Sequence, residues 1–221
     1  MTQKNILVIG ATGGSGRQTI NALRQAGHRV SALSRHASAQ FSPPVKTFDG
    51  SVLDKGILTQ AIRGQDAVII TLGISENPFR VRLMGPKNTP ADIRSAGTEA
   101  VIQVMRELGV SRLIVQTTFG SGPSSDKLRL LDRLFFSLVL KPQIDDTQVQ
   151  DQLVRHSGLD WTIVQPVHLT DHDTPGQGDV LASAQLDVRQ WSISRQQVGT
   201  FHARALDNDH TIGQTIALSA A

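Results

Sequence analysis

Between residues 10 and 16 the chain reads Gly10-Ala11-Thr12-Gly13-Gly14-Ser15-Gly16. Four glycines and two small hydroxyl residues in seven positions present main-chain N–H groups, not bulky side chains, at a turn. Such a turn can hold phosphate. Glycine lets the backbone bend sharply and come close, and the open N–H groups of a following helix bond the phosphate oxygens. The spacing Gly-x-x-Gly-x-x-Gly varies the commonest dinucleotide fingerprint, Gly-x-Gly-x-x-Gly. Its context strengthens it, because Ile6-Leu7-Val8-Ile9 reads as a buried strand before it and a helical pattern follows to Ala26.

A second chemical signal ends the next strand, Arg29–Ser34. At that place an acid accepts from a ribose 2′-hydroxyl, whereas an Arg accommodates a 2′-phosphate. Here the strand runs out as Leu33-Ser34-Arg35-His36, with no acid. Arg35 can pair with the phosphate and stack its plane on the adenine. NADP(H) is therefore expected to be preferred over NAD(H); a solvated charge is the plainer alternative.

The elements that must position these groups alternate along the chain. Strands are predicted at 5–9, 29–34, 45–48, 67–72, 112–116 and 161–165, with short ones at 180–184 and 191–193. Helices are predicted at 16–26, 54–62, 89–108, 126–140 and 145–156. Ser194-Arg195-Gln196-Gln197 has the capping-box form and opens a last helix to about Leu206. Residues 167–178, rich in Pro, Gly, Asp and His, read as a loop. Strands separated by helices imply right-handed βαβ units. The expected fold is thus α/β: a single Rossmann-type domain, a doubly wound parallel sheet with helices on both faces.

Composition sets the outer bounds. The 221 residues suit one domain. Hydrophobic content of 39% and charged content of 19% are ordinary for a folded protein. No apolar run reaches the roughly 18–20 residues that span a bilayer. Gly10 and Thr12 interrupt the only N-terminal apolar stretch, so a secretory leader is not expected and a cytoplasmic location is. Cysteine is absent, which removes disulfides and thiolate metal sites. The net charge of +3 does not argue for nucleic acid, and neither that partner nor a membrane is expected. Residues 1–120 carry fourteen basic against seven acidic side chains, and 121–221 eight against twelve. A basic first half suits a phosphate-bearing ligand; a solvated surface of mixed charge explains it equally.

Gly-Ala-Thr-Gly-Gly-Ser-Gly, Ser34-Arg35, Gln65-Asp66-Ala67-Val68-Ile69 and Ser157-Gly158-Leu159-Asp160-Trp161-Thr162-Ile163-Val164-Gln165-Pro166 together resemble the atypical short-chain dehydrogenase/reductase group. Its members include NmrA-like proteins and NADPH-dependent flavin reductases. The resemblance runs over almost the whole chain. It implies that Gly10, Thr12, Gly13, Gly14, Ser15 and Gly16 meet the pyrophosphate and Arg35 the 2′-phosphate. Ser51-Val52 falls where the group often has Asp-Val beside the adenine, keeping a hydroxyl and losing a charged acceptor. Thr71-Leu72-Gly73 would run along the cofactor. Thr117-Thr118 corresponds to a Thr-Ser pair of the flavin reductase, with Thr118 near the nicotinamide. Pro166-Val167-His168 is similar to that enzyme's Pro-Pro-His beside the substrate pocket, which loops at about 73–90, 117–128 and 166–180 would form.

One departure bears on mechanism. Ordinary short-chain dehydrogenases use Tyr-x-x-x-Lys, the Tyr protonating a carbonyl oxygen, and this chain contains no Tyr. Gln143 and Thr147 occupy those places. Hydride transfer needs no protein acid when the acceptor is conjugated. The expected activity is an NADPH-dependent reduction of a conjugated acceptor such as a flavin or quinone. A non-catalytic NADP-binding redox sensor of the NmrA-like kind is the rival, and an epimerase or dehydratase a weaker one. His168 would steer an acidic group, relay a proton, or pin its loop. Thr118 would orient the nicotinamide amide or the substrate, or cap its strand. His156, His172, His202 and His210 lack metal-ligand spacing, and no metal is expected.

Overall fold

Runs such as Ile6–Ile9, Ala67–Ile70 and Leu113–Val115 have no polar alternation, which suits strands covered on both faces. The computed structural model describes residues 2–73, 89–128, 141–171 and 180–221 of the chain. In it these runs become β1 (Asn5–Ile9), β4 (Ala67–Ile70) and β5 (Arg112–Gln116). With β2 (Arg29–Ser34), β3 (Lys46–Asp49), β6 (Asp160–Pro166), β8 (Val180–Ser183) and β10 (Gln214–Ala220) they build one sheet of order β3-β2-β1-β4-β5-β6-β10-β8. Only β8 runs antiparallel to its neighbour. β7 (His168–Thr170) and β9 (Ser192–Ser194) form a separate parallel pair.

Side chains alternate across the sheet. Ile6 and Val8 pack with Ile20, Leu23 and Val198 under α1 (Gly14–Gln25) and α5 (Arg195–Ala205). Leu7 and Ile9 pack on the other face with Leu58, Ile62, Val101, Met105 and Val154, from α2 (Lys55–Ile62), α3 (Ile93–Leu108) and α4 (Lys141–Arg155). The doubly wound Rossmann-type fold is therefore present. Strand order reverses at β1, with β2 on one side and β4 on the other. The crevice beyond the carboxyl ends of β1 and β4 is where such sheets bind ligands.

Two elements differ from expectation. The 167–178 stretch is not all loop, because His168–Thr170 pairs with Ser192–Ser194 as β7. That pairing spans some two dozen residues and leaves no local periodicity. No element was expected beyond Leu206, yet Gln214–Ala220 is a buried strand between β6 and β8. The expected helix at 126–140 lies outside the described residues from 129 onward, and Gly122–Lys127 forms a short 3-10 turn. Most of the 73–90 and 166–180 loops and His172 also lie outside them.

α5 crosses α1 at close range. A Cβ on Gly199 would stand 2.5 Å from the Gln18 carbonyl carbon, so only glycine fits there. Three residues on, buried His202 meets Thr19 Oγ1 through Nδ1 at 2.8 Å, and Thr19 donates to the Ser15 carbonyl. Burial pushes the His202 pKa down to about 3, so this histidine is a neutral packing residue.

Candidate cofactor and active site

The glycine turn leaves β1 at the switch point. Gly10 adopts φ +78°, and a Cβ there would stand 2.7 Å from the Thr71 carbonyl oxygen. A Cβ on Gly16 would come within 2.4 Å of the Gly10 carbonyl oxygen. These two glycines are required by the chain's own backbone. Gly13 is different. It is exposed at φ −68°, and its Cβ would lie 3.3 Å from the Gly10 carbonyl oxygen, a tight contact that a shift of a few tenths of an ångström relieves.

The N–H groups of Gly10 and Ala11 bond Leu33 O, and that of Gly13 bonds Gly10 O. α1 then starts with no side-chain cap on its N-terminal N–H groups and no acid in its first turn. Its neighbours are capped: α2 by Asp54, α5 by the Ser194–Gln197 capping box, and α3 by Asp146 reaching across from α4. Gly14, Ser15 and Gly16 supply the first-turn donors, beside the two exposed glycines Gly13 and Gly14. This cradle fits a diphosphate, which supplies the acceptors and the negative charge that a helix N-terminus favours.

The other expected positions lie along the same sheet edge. Thr71 braces the turn, donating to Ile9 O at 3.0 Å and to Gly10 O at 3.3 Å. Leu72 and buried Val52 close on Gly97 of α3, whose Cβ would stand 2.9 Å from each, and Gly73 follows. Ser51 is exposed, its hydroxyl accepting from Leu53 N–H. Arg35 is exposed just past β2, where Gly50 N–H bonds Ser34 O and brings the ends of β2 and β3 together. Beyond β5 the pairing continues: Thr117 N–H bonds Val164 O and Phe119 N–H bonds Pro166 O. Half-buried Thr118 sits between them, and Phe119 packs edge-on against Trp191. His168 is exposed at the start of β7, and no hydrogen bond joins it to Thr118 among the described residues.

Three polar residues absent from the sequence-based expectations stand behind this edge. Asp146 accepts from the N–H groups of Arg94 and Ser95 and from the Ser95 hydroxyl. The Arg94 guanidinium donates to Thr147 Oγ1 at 2.7 Å, and Thr147 donates to Gln143 O. Burial pushes the Arg94 pKa down, while the Asp146 charge holds it up. Arg94 also reaches toward Gly73, its Nη2 lying 3.4 Å from where a Cβ on that glycine would stand. Thr147, the expected seat of the Lys, thus meets a buried cation, and the Gln143 carbonyl accepts from the Thr147 hydroxyl.

The third is Asp151, 2% exposed, which accepts from Ser121 Oγ and Gln165 Nε2, both at 3.1 Å. Ser124 donates to Gln165 and to the Ser121 carbonyl, so the network fixes the segment after Thr118. Burial pushes the Asp151 pKa up to about 6, against the Ser121 hydrogen bond and the Arg155 charge. Thr117 also lies close enough to favour the charged form, yet its hydroxyl meets no partner at full hydrogen-bond geometry among the described residues.

Between about pH 4 and 6 the folded chain therefore holds a proton that the unfolded chain has released. Stability contributed by this group falls as pH rises through that window, by on the order of 2–3 kcal/mol at neutrality. Asp151→Asn should gain on the wild type in melting temperature between pH 4 and 7. A difference in melting temperature that stays flat over that range would mean that Asp151 titrates as an ordinary carboxylate.

A family model for NAD(P)H-binding proteins matches residues 10–209. The chain belongs to the NAD(P)H-binding family. A phenylcoumaran benzylic ether reductase of Ginkgo biloba is 22% identical over 99% of this NAD(P)H-binding chain and 70% of its own length. The anaerobillin reductase ChuY of Escherichia coli O157:H7 has a TM-score of 0.75 at 22% identity, covering 98% of this chain and 97% of that one. A short-chain dehydrogenase/reductase of Veillonella parvula, solved with NADP, has a TM-score of 0.76 at 16% identity, covering 99% and 95%. The resemblance to the atypical short-chain dehydrogenase/reductase group is borne out, and the cradle at Gly10–Gly16 suits the nicotinamide dinucleotide of the family. No described helix is long and apolar enough to cross a membrane, and no three metal-ligand side chains gather among the described residues.

Proposed function

We propose that this chain is an NADPH-dependent reductase that delivers hydride to a conjugated acceptor such as a flavin, a quinone or a linear tetrapyrrole. The observation that carries the reading is the missing acid of a Tyr-x-x-x-Lys pair: on α4, Gln143 and Thr147 are read in its place, and the Thr147 hydroxyl is engaged by Gln143 O and Arg94. The chain has no Tyr elsewhere to take the part. The bound nicotinamide supplies the hydride, and the protein supplies position. The first-turn N–H groups of α1 would hold the diphosphate, Arg35 would meet the 2′-phosphate, and Thr118 would orient the reacting end beside the acceptor. His168, exposed at the start of β7, would stand on the acceptor side. An acceptor whose charge spreads over a conjugated system takes its proton from water afterwards. The reductase names among the relatives, one of a phenylcoumaran benzylic ether and one of anaerobillin, support a reductive role.

The test is NADPH oxidation by the purified protein across flavins, quinones, tetrapyrroles, ketones and aldehydes. Turnover is expected with the conjugated acceptors and not with simple carbonyls. Thr118→Ala and His168→Ala should each slow it by about ten- to a hundredfold, roughly 1.4–2.7 kcal/mol. Efficient ketone reduction would overturn the assignment, and tight NADP binding with no turnover on any acceptor would make the chain a nucleotide sensor.

NADP(H) over NAD(H) is part of the same proposal. A charge-assisted contact of roughly 1.5–3 kcal/mol gives a preference of about one to two orders of magnitude. Arg35→Ala should erase most of it while NAD(H) affinity stays nearly constant. Equal wild-type affinities by calorimetry would remove Arg35 from this role.

A further inference from the structure

Arg195 has no part in the cofactor reading above, yet its side chain lies on the cradle. A Cβ on Gly14, the first residue of α1, would stand 2.7 Å from Arg195 Cδ and 2.8 Å from Nε. Glycine at position 14 is what lets this cation lie flat over the turn. Arg195 is itself the first residue of α5, whose N-terminal end is positive like that of α1. A cation at that end opposes the helix dipole. Two helix N-termini and a guanidinium therefore converge on one spot, and the described counter-charge is Asp171, 2.7 Å from Nη1. The Asp171 side chain is 78% exposed, against 26% for Arg195. A solvated carboxylate on one edge of the guanidinium leaves the edge over Gly14 for another acceptor.

The sequence delivers this arrangement through the small sheet. β7 and β9 pair in register to Thr170 and Ser194, so the next residues of each strand, Asp171 and Arg195, emerge side by side. Ser194 then caps α5 and fixes where the Arg195 backbone starts.

We propose that Arg195 is a diphosphate clamp: its guanidinium closes over the cofactor's diphosphate on the α1 N-terminus, while Asp171 competes for its outer edge. This rests on the reading of the glycine turn as the cofactor cradle. Asp171 follows β7, which begins at His168, so the clamp also ties the phosphate site to the strand that carries the acceptor-side histidine.

Calorimetric titration of the full chain with NADP+, NAD+ and 2′-AMP tests it, since 2′-AMP keeps the 2′-phosphate and lacks the diphosphate. Arg195→Gln should weaken NADP+ and NAD+ equally, by about ten- to fiftyfold, and leave 2′-AMP within about twofold. Arg35→Ala should give the opposite pattern, with NADP+ and 2′-AMP weakened and NAD+ spared. Arg195→Lys should recover only part of the loss, because an ammonium cannot span two oxygens as a guanidinium does. Asp171→Asn, which removes the competing carboxylate and keeps the cation, should bind NADP+ at least as well as the wild type. The clamp is overturned if Arg195→Gln binds NADP+ normally, if it loses 2′-AMP alongside NADP+, or if Asp171→Asn loses NADP+ as heavily as Arg195→Gln. A wild type that binds 2′-AMP but neither dinucleotide overturns the cradle reading itself, and the clamp with it.

Discussion

Gly13→Val is expected to abolish nucleotide binding, a loss of at least about a hundredfold or roughly 2.7 kcal/mol, in a chain that still folds. The expectation comes from the difference among the turn glycines. A Cβ on Gly10 or Gly16 would collide with backbone at 2.7 or 2.4 Å, whereas one on Gly13 meets only a carbonyl oxygen at 3.3 Å. The Gly13 backbone, at φ −68° and ψ 161°, also suits a β-branched residue. A valine there asks a small shift of the turn and occupies space that the diphosphate needs. Gly16→Val should instead lower the melting temperature sharply, since α1 would have to move off the turn. Circular dichroism and calorimetric titration of both variants decide the matter. Wild-type NADP(H) affinity in Gly13→Val would place the ligand elsewhere.

Asp146→Ala is expected to destabilise the chain by on the order of 3–5 kcal/mol. Its carboxylate accepts three hydrogen bonds, caps α3 from another helix, and faces the desolvated Arg94. Removing it orphans two helix N–H groups and leaves a buried cation without its counter-charge, which costs more than the pair contributes when intact. Urea denaturation should show a lowered midpoint with an unchanged slope. Asp146→Asn should fall between, keeping an acceptor and losing the charge. A loss below about 1 kcal/mol would mean that Arg94 draws its compensation from another group.

The parts of this molecule that were legible in the sequence are those set by neighbours in the chain. Gly10–Gly16 announces itself because a strand, a turn and a helix follow one another without a gap, and Arg35 because it ends a strand. The unbroken apolar runs of β1, β4 and β5 give away a sheet covered on both faces. Arg94, Asp146 and Asp151 were not legible because each acquires its surroundings from a distant element. A sign was nevertheless present on α4. Asp146, Thr147, Gln150 and Asp151 recur at helical spacing and are buried, while Val149 on the same helix is 48% exposed. A polar stripe where an apolar one belongs marks a seam of hydrogen bonds. β7 and β10 were missed because their partners are fixed by the fold, whereas β9, expected at 191–193, lies at 192–194.

The place of β10 in the sheet bears on how the chain is made. β2 to β6 can each find a partner among strands already synthesised. β8 cannot, since its sheet partner is β10, about thirty residues later. At roughly 5–20 residues per second, β8 waits a few seconds with its pairing edge open. Until Gln214–Ala220 arrives, β6 also exposes the flank that β10 will cover. Two open edges flanking one missing strand form a slot that a stretch of another nascent chain can enter. Chaperone demand for this protein should therefore peak late in translation, and slow codons between Ser183 and Gln214 should raise aggregation far more than slow codons before β6.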